Sequence, residues 1–215
     1  MKTRVLLADD HTILRAGLRL VLEREHDLEV VGEAADGREA VRLVVDTKPD
    51  VAIVDIAMPL LNGIEATRQI LASNPRTAVA ILSMHAEEEY LVRALNSGAK
   101  AYLLKDSAEA DLLGAIRSMR SGHSFFSPKV RRMLQQEHVQ KLRLSARQDT
   151  FATLSARERE VVQLIAEGHS NKEIANILHL SVYTVETHRG HILEKLGLRS
   201  AAEVVLNAVR RGLIH

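Results

Sequence analysis

Four runs of four apolar residues recur in the first half of this chain, and each stops on a group that can do chemistry. Val5–Ala8 is followed by Asp9 and Asp10, Val51–Val54 by Asp55, Val79–Leu82 by Ser83, and Ala101–Leu104 by Lys105. Short apolar runs bounded by polar residues read as strands buried on both faces, the mark of a parallel sheet. In an open parallel sheet the reactive groups gather outside the carboxyl ends of the strands. The pattern therefore predicts one crevice holding three carboxylates, a hydroxyl and an ammonium.

The segments between the runs complete a fold class. Strands are expected at Arg4–Ala8, Leu28–Ala34, Val51–Asp55, Ala78–Ser83 and Ala101–Leu104. Between them apolar residues recur at helical spacing, as in Ile13, Leu14, Leu18, Val21 and Leu22, or Leu112, Leu113 and Ile116. Strands alternating with helices make an α/β doubly wound, five-stranded parallel sheet. Asp9, Asp10 and Asp55 held close together repel one another unless a cation neutralises them. With hard oxygen ligands and no cysteine in the chain, Mg²⁺ is the ion such a cluster suits. A carboxylate beside Mg²⁺ can be a ligand or a nucleophile toward phosphorus. Lys105 offers a mobile positive charge to phosphoryl oxygens, and Ser83 a hydroxyl donor.

Composition narrows the classes of function. The absence of Cys excludes disulfides, thiol catalysis and thiolate metal sites. No run of about 18 apolar residues suggests a membrane span, and the apolar run near Met1 is too short for a signal-peptide core, so a cytoplasmic protein is expected. The net charge of +1 hides an asymmetry: positions 1–121 carry 15 Lys and Arg against 19 Asp and Glu, whereas positions 122–215 carry 14 against 9. An acidic first half and a basic second half suggest two domains with different partners, the second anionic.

The junction starts at Ser121-Gly122-His123-Ser124, and Ser127-Pro128 reads as a helix start. The expected division is a domain at 1–121, a partly helical linker at 122–150 with a flexible stretch around Arg147–Thr153, and a second domain at 151–215. That second domain is helical throughout. Ser155–Glu158 and Ser170–Glu173 are capping boxes, and Gly168 and Gly197 sit where helices end. A helix over Asn171–Leu178, a turn at His179-Leu180 and a longer helix over Val182–Leu196 form a helix-turn-helix, followed by a fourth helix at about Ala201–Arg211.

These motifs carry a family resemblance. Asp9-Asp10, Asp55, Met58-Pro59, Asn62-Gly63, Ser83 and Lys105 together resemble the receiver domain of two-component response regulators, a flavodoxin-like fold. Leu154-Ser155-x-Arg157-Glu158-x-Glu160-Val161, Ser170-Asn171-Lys172-Glu173-Ile174-Ala175, Thr184-Val185-Glu186-x-His188 and Ile192-x-x-Lys195-Leu196 resemble the LuxR-type helix-turn-helix of the NarL/FixJ subfamily. The resemblance implies that Asp55 accepts a phosphoryl group from a sensor histidine kinase. It implies that Asp10 and Asp9 hold Mg²⁺ with Asp55 and the Ala57 carbonyl, and that Tyr102 moves inward as Ser83 and Lys105 turn toward the phosphoryl group. It further implies that the phosphorylated protein forms a homodimer through Ala201, Val204, Val205 and Ala208, binds double-stranded DNA and regulates transcription, with RNA polymerase a further partner. By side-chain chemistry, Lys172, Ser181, Thr184 and Lys195 suit phosphates. Glu186, Thr187 and Arg189 suit base edges, although Glu186 and Arg189 are also spaced for a helical ion pair. His188 suits a phosphate or packing. Two other readings remain open: a regulator that binds DNA without phosphorylation, and a Mg²⁺-dependent phosphohydrolase. The latter class usually has a second Asp two residues after the nucleophile, where this chain has Ala57, so no enzyme is expected.

Overall fold

A computed structural model of the chain describes residues 2–134 and 150–210. The expected strands form in place: β1 (Thr3–Ala8), β2 (Leu28–Ala34), β3 (Val51–Asp55), β4 (Ala78–Ser83) and β5 (Ala101–Leu104). They alternate with α1 (Thr12–Glu23), α2 (Gly37–Thr47), α3 (Gly63–Ser73), α4 (Glu88–Asn96) and α5 (Ala108–Arg120). A sixth strand, β6 (Phe125–Phe126), corrects the expected count of five. The sheet order is β2-β1-β3-β4-β5-β6, with every pairing parallel. The sheet therefore runs beyond Ser121, and Val130 of α6 (Pro128–Leu134) packs into the core on one of its faces.

Helices on both faces bury the sheet, which explains why its strands lack polar alternation. One core holds Leu6, Val54, Ile81 and Tyr102 beneath α2, α3 and α4; the other holds Leu7, Ile53, Leu82 and Leu103 beneath α1 and α5. Local chemistry sets the helix starts. Asp36 caps α2 by accepting from the Glu39 amide, and Asn62 caps α3 by accepting from the Glu65 amide.

The C-terminal domain contains α7 (Ala156–Ala166), α8 (Asn171–Leu178), α9 (Val182–Leu196) and α10 (Ala201–Arg210). Both capping boxes form, and Ser181 caps α9 through the Thr184 amide. The flexible stretch expected around Arg147–Thr153 is, over Thr150–Thr153, a 3₁₀ turn that buries Phe151 in this domain's core. The remainder of that stretch and most of the linker lie outside the described residues.

Candidate functional site

The strand ends converge as their order requires. Asp9 follows β1, Asp55 closes the neighbouring β3, Ser83 closes β4, and Lys105 follows β5. Lys105 Nζ donates to Asp55 Oδ2 at 2.7 Å and lies 3.0 Å from Asp9 Oδ2. The second contact is an ion pair, and this buried Asp9 oxygen makes no other polar contact among the described residues. Asp9 Oδ1 accepts from the His11 amide at 2.8 Å, and Arg15 donates to the Asp9 carbonyl. Asp10 is exposed, with its Oδ1 2.8 Å from His11 Nδ1. Carboxylate oxygens of Asp9, Asp10 and Asp55 and a ring nitrogen of His11 all lie within 4.8 Å of one another. His11 is a member of this cluster that the sequence reading missed, although its place directly after two aspartates was a visible signal.

Burial and the Asp9 charge push the Asp55 carboxyl up to about 6, against the opposing pull of Lys105. Burial alone would lower the Lys105 ammonium, but its contacts with the carboxylates of Asp55 and then Asp9 outweigh that and leave it raised. The site is thus an anionic pocket that one lysine neutralises only in part. Ala57 donates its amide to Asp55 Oδ1 at 3.3 Å and begins the β3–α3 loop. Gly63 lets α3 start against that loop, because a Cβ there would sit 2.1 Å from the Asp55 carbonyl oxygen.

Ser83 and Tyr102 meet at one residue, His85. The His85 amide donates to Ser83 Oγ at 2.9 Å, and its carbonyl accepts from the Tyr102 hydroxyl at 2.8 Å. Its ring stacks on Tyr90 with centroids 4.5 Å apart. Tyr102 is only 1% exposed, and burial raises its phenol against the effect of a Ser83 hydrogen bond. The inward position expected to follow a shift of Ser83 is therefore already taken. The reason is physical: the ring fills the core under α4, and the hydroxyl finds a backbone acceptor.

In the C-terminal domain, α8 and α9 form the helix-turn-helix, joined by His179 in the left-handed conformation at φ 54°. Lys172, Ser181, Glu186 and Thr187 are exposed, whereas Thr184, His188 and Arg189 are half-buried. Arg189 Nη1 donates to Asn171 Oδ1 at 2.9 Å, so it ties α9 to α8 instead of pairing with Glu186. Lys195 Nζ donates to both carboxylate oxygens of the buried Glu158, at 2.9 and 2.8 Å. Burial would raise the Glu158 carboxyl, but Lys195 and Ser155 hold it below the usual range. Lys195, expected at a phosphate, is engaged by Glu158 in this structure and remains exposed.

Residues 5–117 match the response regulator receiver domain, and residues 152–208 match the bacterial regulatory proteins of the luxR family. The chain belongs to the response-regulator family. It is 42% identical to the oxygen regulatory protein NreC of Staphylococcus carnosus, over 98% of this chain and 99% of that protein. A LuxR-family response regulator from Aurantimonas sp. aligns at TM-score 0.62 and 37% identity, covering 65% of this chain and 99% of that one. The response regulator RcsB, solved in complex with DNA, aligns at TM-score 0.61 and 27% identity over 99% of this chain and 100% of that chain.

Two further features of this response regulator come from its tertiary packing. Of the residues assigned to the dimer contact, Val204 and Ala208 are buried in the domain's own core, with Ala201 and Val205 packed against it. Val204 and Ala208 lie one helical turn apart on the face of α10 turned toward α7, whereas Ala201 and Val205 stay half-buried. Leu206 and Val209 are the large apolar residues that α10 exposes. The second feature is that α7 packs on the receiver. Arg159 Nε lies 2.7 Å from Glu65 Oε2, and Glu160 accepts from Arg38 at 3.1 Å and Gln69 at 2.9 Å. Gln163 sits at the centre, only 1% exposed. The available signal was a lone amide inside the apolar run Val161-Val162-Gln163-Leu164-Ile165.

Proposed function

We propose that Asp55 accepts a phosphoryl group from a histidine of a sensor kinase, and that this transfer controls binding of the C-terminal domain to double-stranded DNA. The observation that carries the reading is the Lys105 ammonium held between Asp55 and Asp9 at the strand ends. In the transfer an Asp55 carboxylate oxygen attacks phosphorus, the P–N bond to the kinase histidine breaks, and an acyl phosphate forms. With its carboxyl near 6, Asp55 is mainly ionised at neutral pH and able to attack. Lys105 stays protonated and follows the charge to the new phosphoryl oxygens. Phosphorylation adds about two negative charges to the pocket, and the Ser83 hydroxyl at the end of β4 would donate to them.

The donor set fits Mg²⁺: hard carboxylate oxygens of Asp9, Asp10 and Asp55 lie together, and one buried Asp9 oxygen lacks a hydrogen-bond partner. These residues, with the Ala57 carbonyl, would hold the ion, which supplies positive charge to phosphoryl oxygens when bound. His11 Nδ1 instead lies 2.8 Å from Asp10 Oδ1.

At the other end, α9 would enter the major groove. Lys172, Ser181 and Thr184 would meet phosphates, Glu186 and Thr187 base edges, and Arg189 a base once it leaves Asn171, with His188 beside them. The phosphorylated form would assemble as a dimer on DNA. We place its exposed contact at Leu206 and Val209, and the protein in the cytoplasm, where kinase and DNA meet. No helix among the described residues is long and apolar enough to cross a membrane.

The test is incubation of the full chain with Mg²⁺ and acetyl phosphate, beside Asp55→Ala. The wild type should gain one phosphoryl group, dimerise and bind DNA more tightly, while the variant does none of these. Tight binding that ignores the phosphodonor would refute control by Asp55.

A further inference from the structure

The β3–α3 loop carries the phosphoryl-acceptor site at its start and is gripped at its far end by the DNA-binding domain. Gln163 of α7 makes three hydrogen bonds to it. Its Nε2 donates to the Met58 carbonyl at 3.0 Å, and its Oε1 accepts from the Asn62 amide at 2.7 Å and the Asn62 side chain at 2.9 Å. Glu167, one turn along, accepts from the Leu60 amide at 3.0 Å. All four loop groups are thus satisfied by side chains that the receiver does not own.

Leu60 shows what the grip costs and what offsets it. It lies at φ 64°, in the left-handed region that a branched side chain rarely adopts. Its neighbours Met58 and Leu61 pack into the receiver core, whereas Leu60 packs against the core of the C-terminal domain. On the receiver side the loop has no slack. A Cβ on Gly37 would sit 2.0 Å from the Leu61 carbonyl oxygen, and one on Gly63 2.1 Å from that of Asp55. A loop wedged between two helix starts and strained at Leu60 has little room to shift independently of its ends.

The recognition helix is not what this docking covers. Val182, Tyr183, Glu186 and Thr187 stay exposed with the receiver in place. The contact therefore acts on the acceptor loop, and it acts while the acidic oxygens stand within 4.8 Å of one another, at a spacing suited to an ion.

We propose that Gln163 is a positioning residue for phosphoryl acceptance: from the DNA-binding domain it holds the Met58–Asn62 loop in the conformation that keeps the Asp55 site assembled. The proposal rests on the reading of Asp55 as acceptor. Docking of the domains then supports phosphorylation, and a receiver released from α7 is the poorer acceptor. A loop held in its working geometry loses less freedom when the site is loaded.

The experiment uses the full chain with Gln163→Ala and Glu167→Ala, each checked for native circular dichroism. Amide hydrogen exchange is measured first, without metal or phosphodonor. The Asn62 amide should exchange about tenfold faster in Gln163→Ala and the Leu60 amide faster in Glu167→Ala, the loss of one hydrogen bond each. Phosphorylation by acetyl phosphate is then timed by intact mass across Mg²⁺ concentrations. Gln163→Ala should react several-fold more slowly and need more Mg²⁺ for its half-maximal rate. Unchanged exchange at Asn62, or an equal or faster reaction, overturns the proposal. Should the wild type take up no phosphoryl group, the acceptor reading itself falls, and the positioning role with it. Glu167→Ala, on a half-buried helix end, keeps the test decisive should Gln163→Ala fail to fold.

Discussion

Replacing Asp55 with Asn should make the metal-free protein more stable at pH 8, even though it removes the proposed acceptor. The pocket lifts the Asp55 carboxyl from its ordinary 3.8 to about 6, chiefly by burial and next by the Asp9 charge. Between those values the folded chain holds a proton that the unfolded chain has lost. Stability therefore falls as pH rises through this window and stays low above it. At about 1.4 kcal/mol for each tenfold change in proton affinity, the ionised Asp55 costs the fold about 3 kcal/mol at pH 8. Asn carries no charge, is close in volume and still offers Lys105 an oxygen, although a neutral acceptor holds an ammonium less well. Allowing about 1 kcal/mol for that weaker bond leaves a gain of about 2 kcal/mol. Urea unfolding in EDTA, followed by circular dichroism at pH 8 and at pH 5, measures it. The gain should shrink toward zero at pH 5, where the wild-type Asp55 is largely protonated. Adding Mg²⁺ at pH 8 should stabilise the wild type more than the variant. A variant no more stable than wild type at pH 8, or a gain that is equal at both pH values, would refute the account of the pocket as an under-neutralised anionic site.

Other outcomes follow from single contacts. Gly63→Ala should destabilise the receiver by about 2 kcal/mol or more and slow phosphorylation, since the new Cβ meets backbone at 2.1 Å; unfolding and acetyl phosphate kinetics check it. Lys195→Ala should cost the C-terminal domain about 1 kcal/mol, because its partner Glu158 is buried while Lys195 itself is half-open to water. The salt dependence of its DNA binding should stay unchanged, whereas Lys172→Ala should reduce that slope by about one phosphate contact. Leu206→Asp should weaken dimerisation on DNA, by analytical ultracentrifugation, without altering monomer stability, while Val204→Asp should unfold the domain. Arg159→Glu sets like charges against the buried Glu65 and should separate the domains, seen as a larger radius of gyration by small-angle X-ray scattering.

The parts that could be read without coordinates are those encoded within a few residues. Val51–Asp55 is a strand because four apolar side chains in succession can be buried on both faces of a sheet. Ser155–Glu158 starts a helix because a hydroxyl and a carboxylate three residues apart satisfy each other's backbone amides. Given a parallel sheet, the meeting of Asp9, Asp55 and Lys105 follows from strand order. By contrast, β6 is two residues long and has no pattern of its own; it exists only because Phe125 and Phe126 pair with Ala101 and Tyr102.

Sequence by itself determined the sheet, the helix-turn-helix, the chemistry of the acidic pocket and the family, because each is written in residue type and short-range spacing. Tertiary structure alone decided which polar groups are already spent. Lys195 is bound by a carboxylate 37 positions away, Arg189 by an amide 18 away, and the Asn62 amide by Gln163, 101 positions on. It also decided that Tyr102 points inward and that the first helix of the DNA-binding domain rests on the loop between β3 and α3. A hydrogen bond needs a partner within about 3 Å, and the chain cannot announce in advance which distant residue will arrive there.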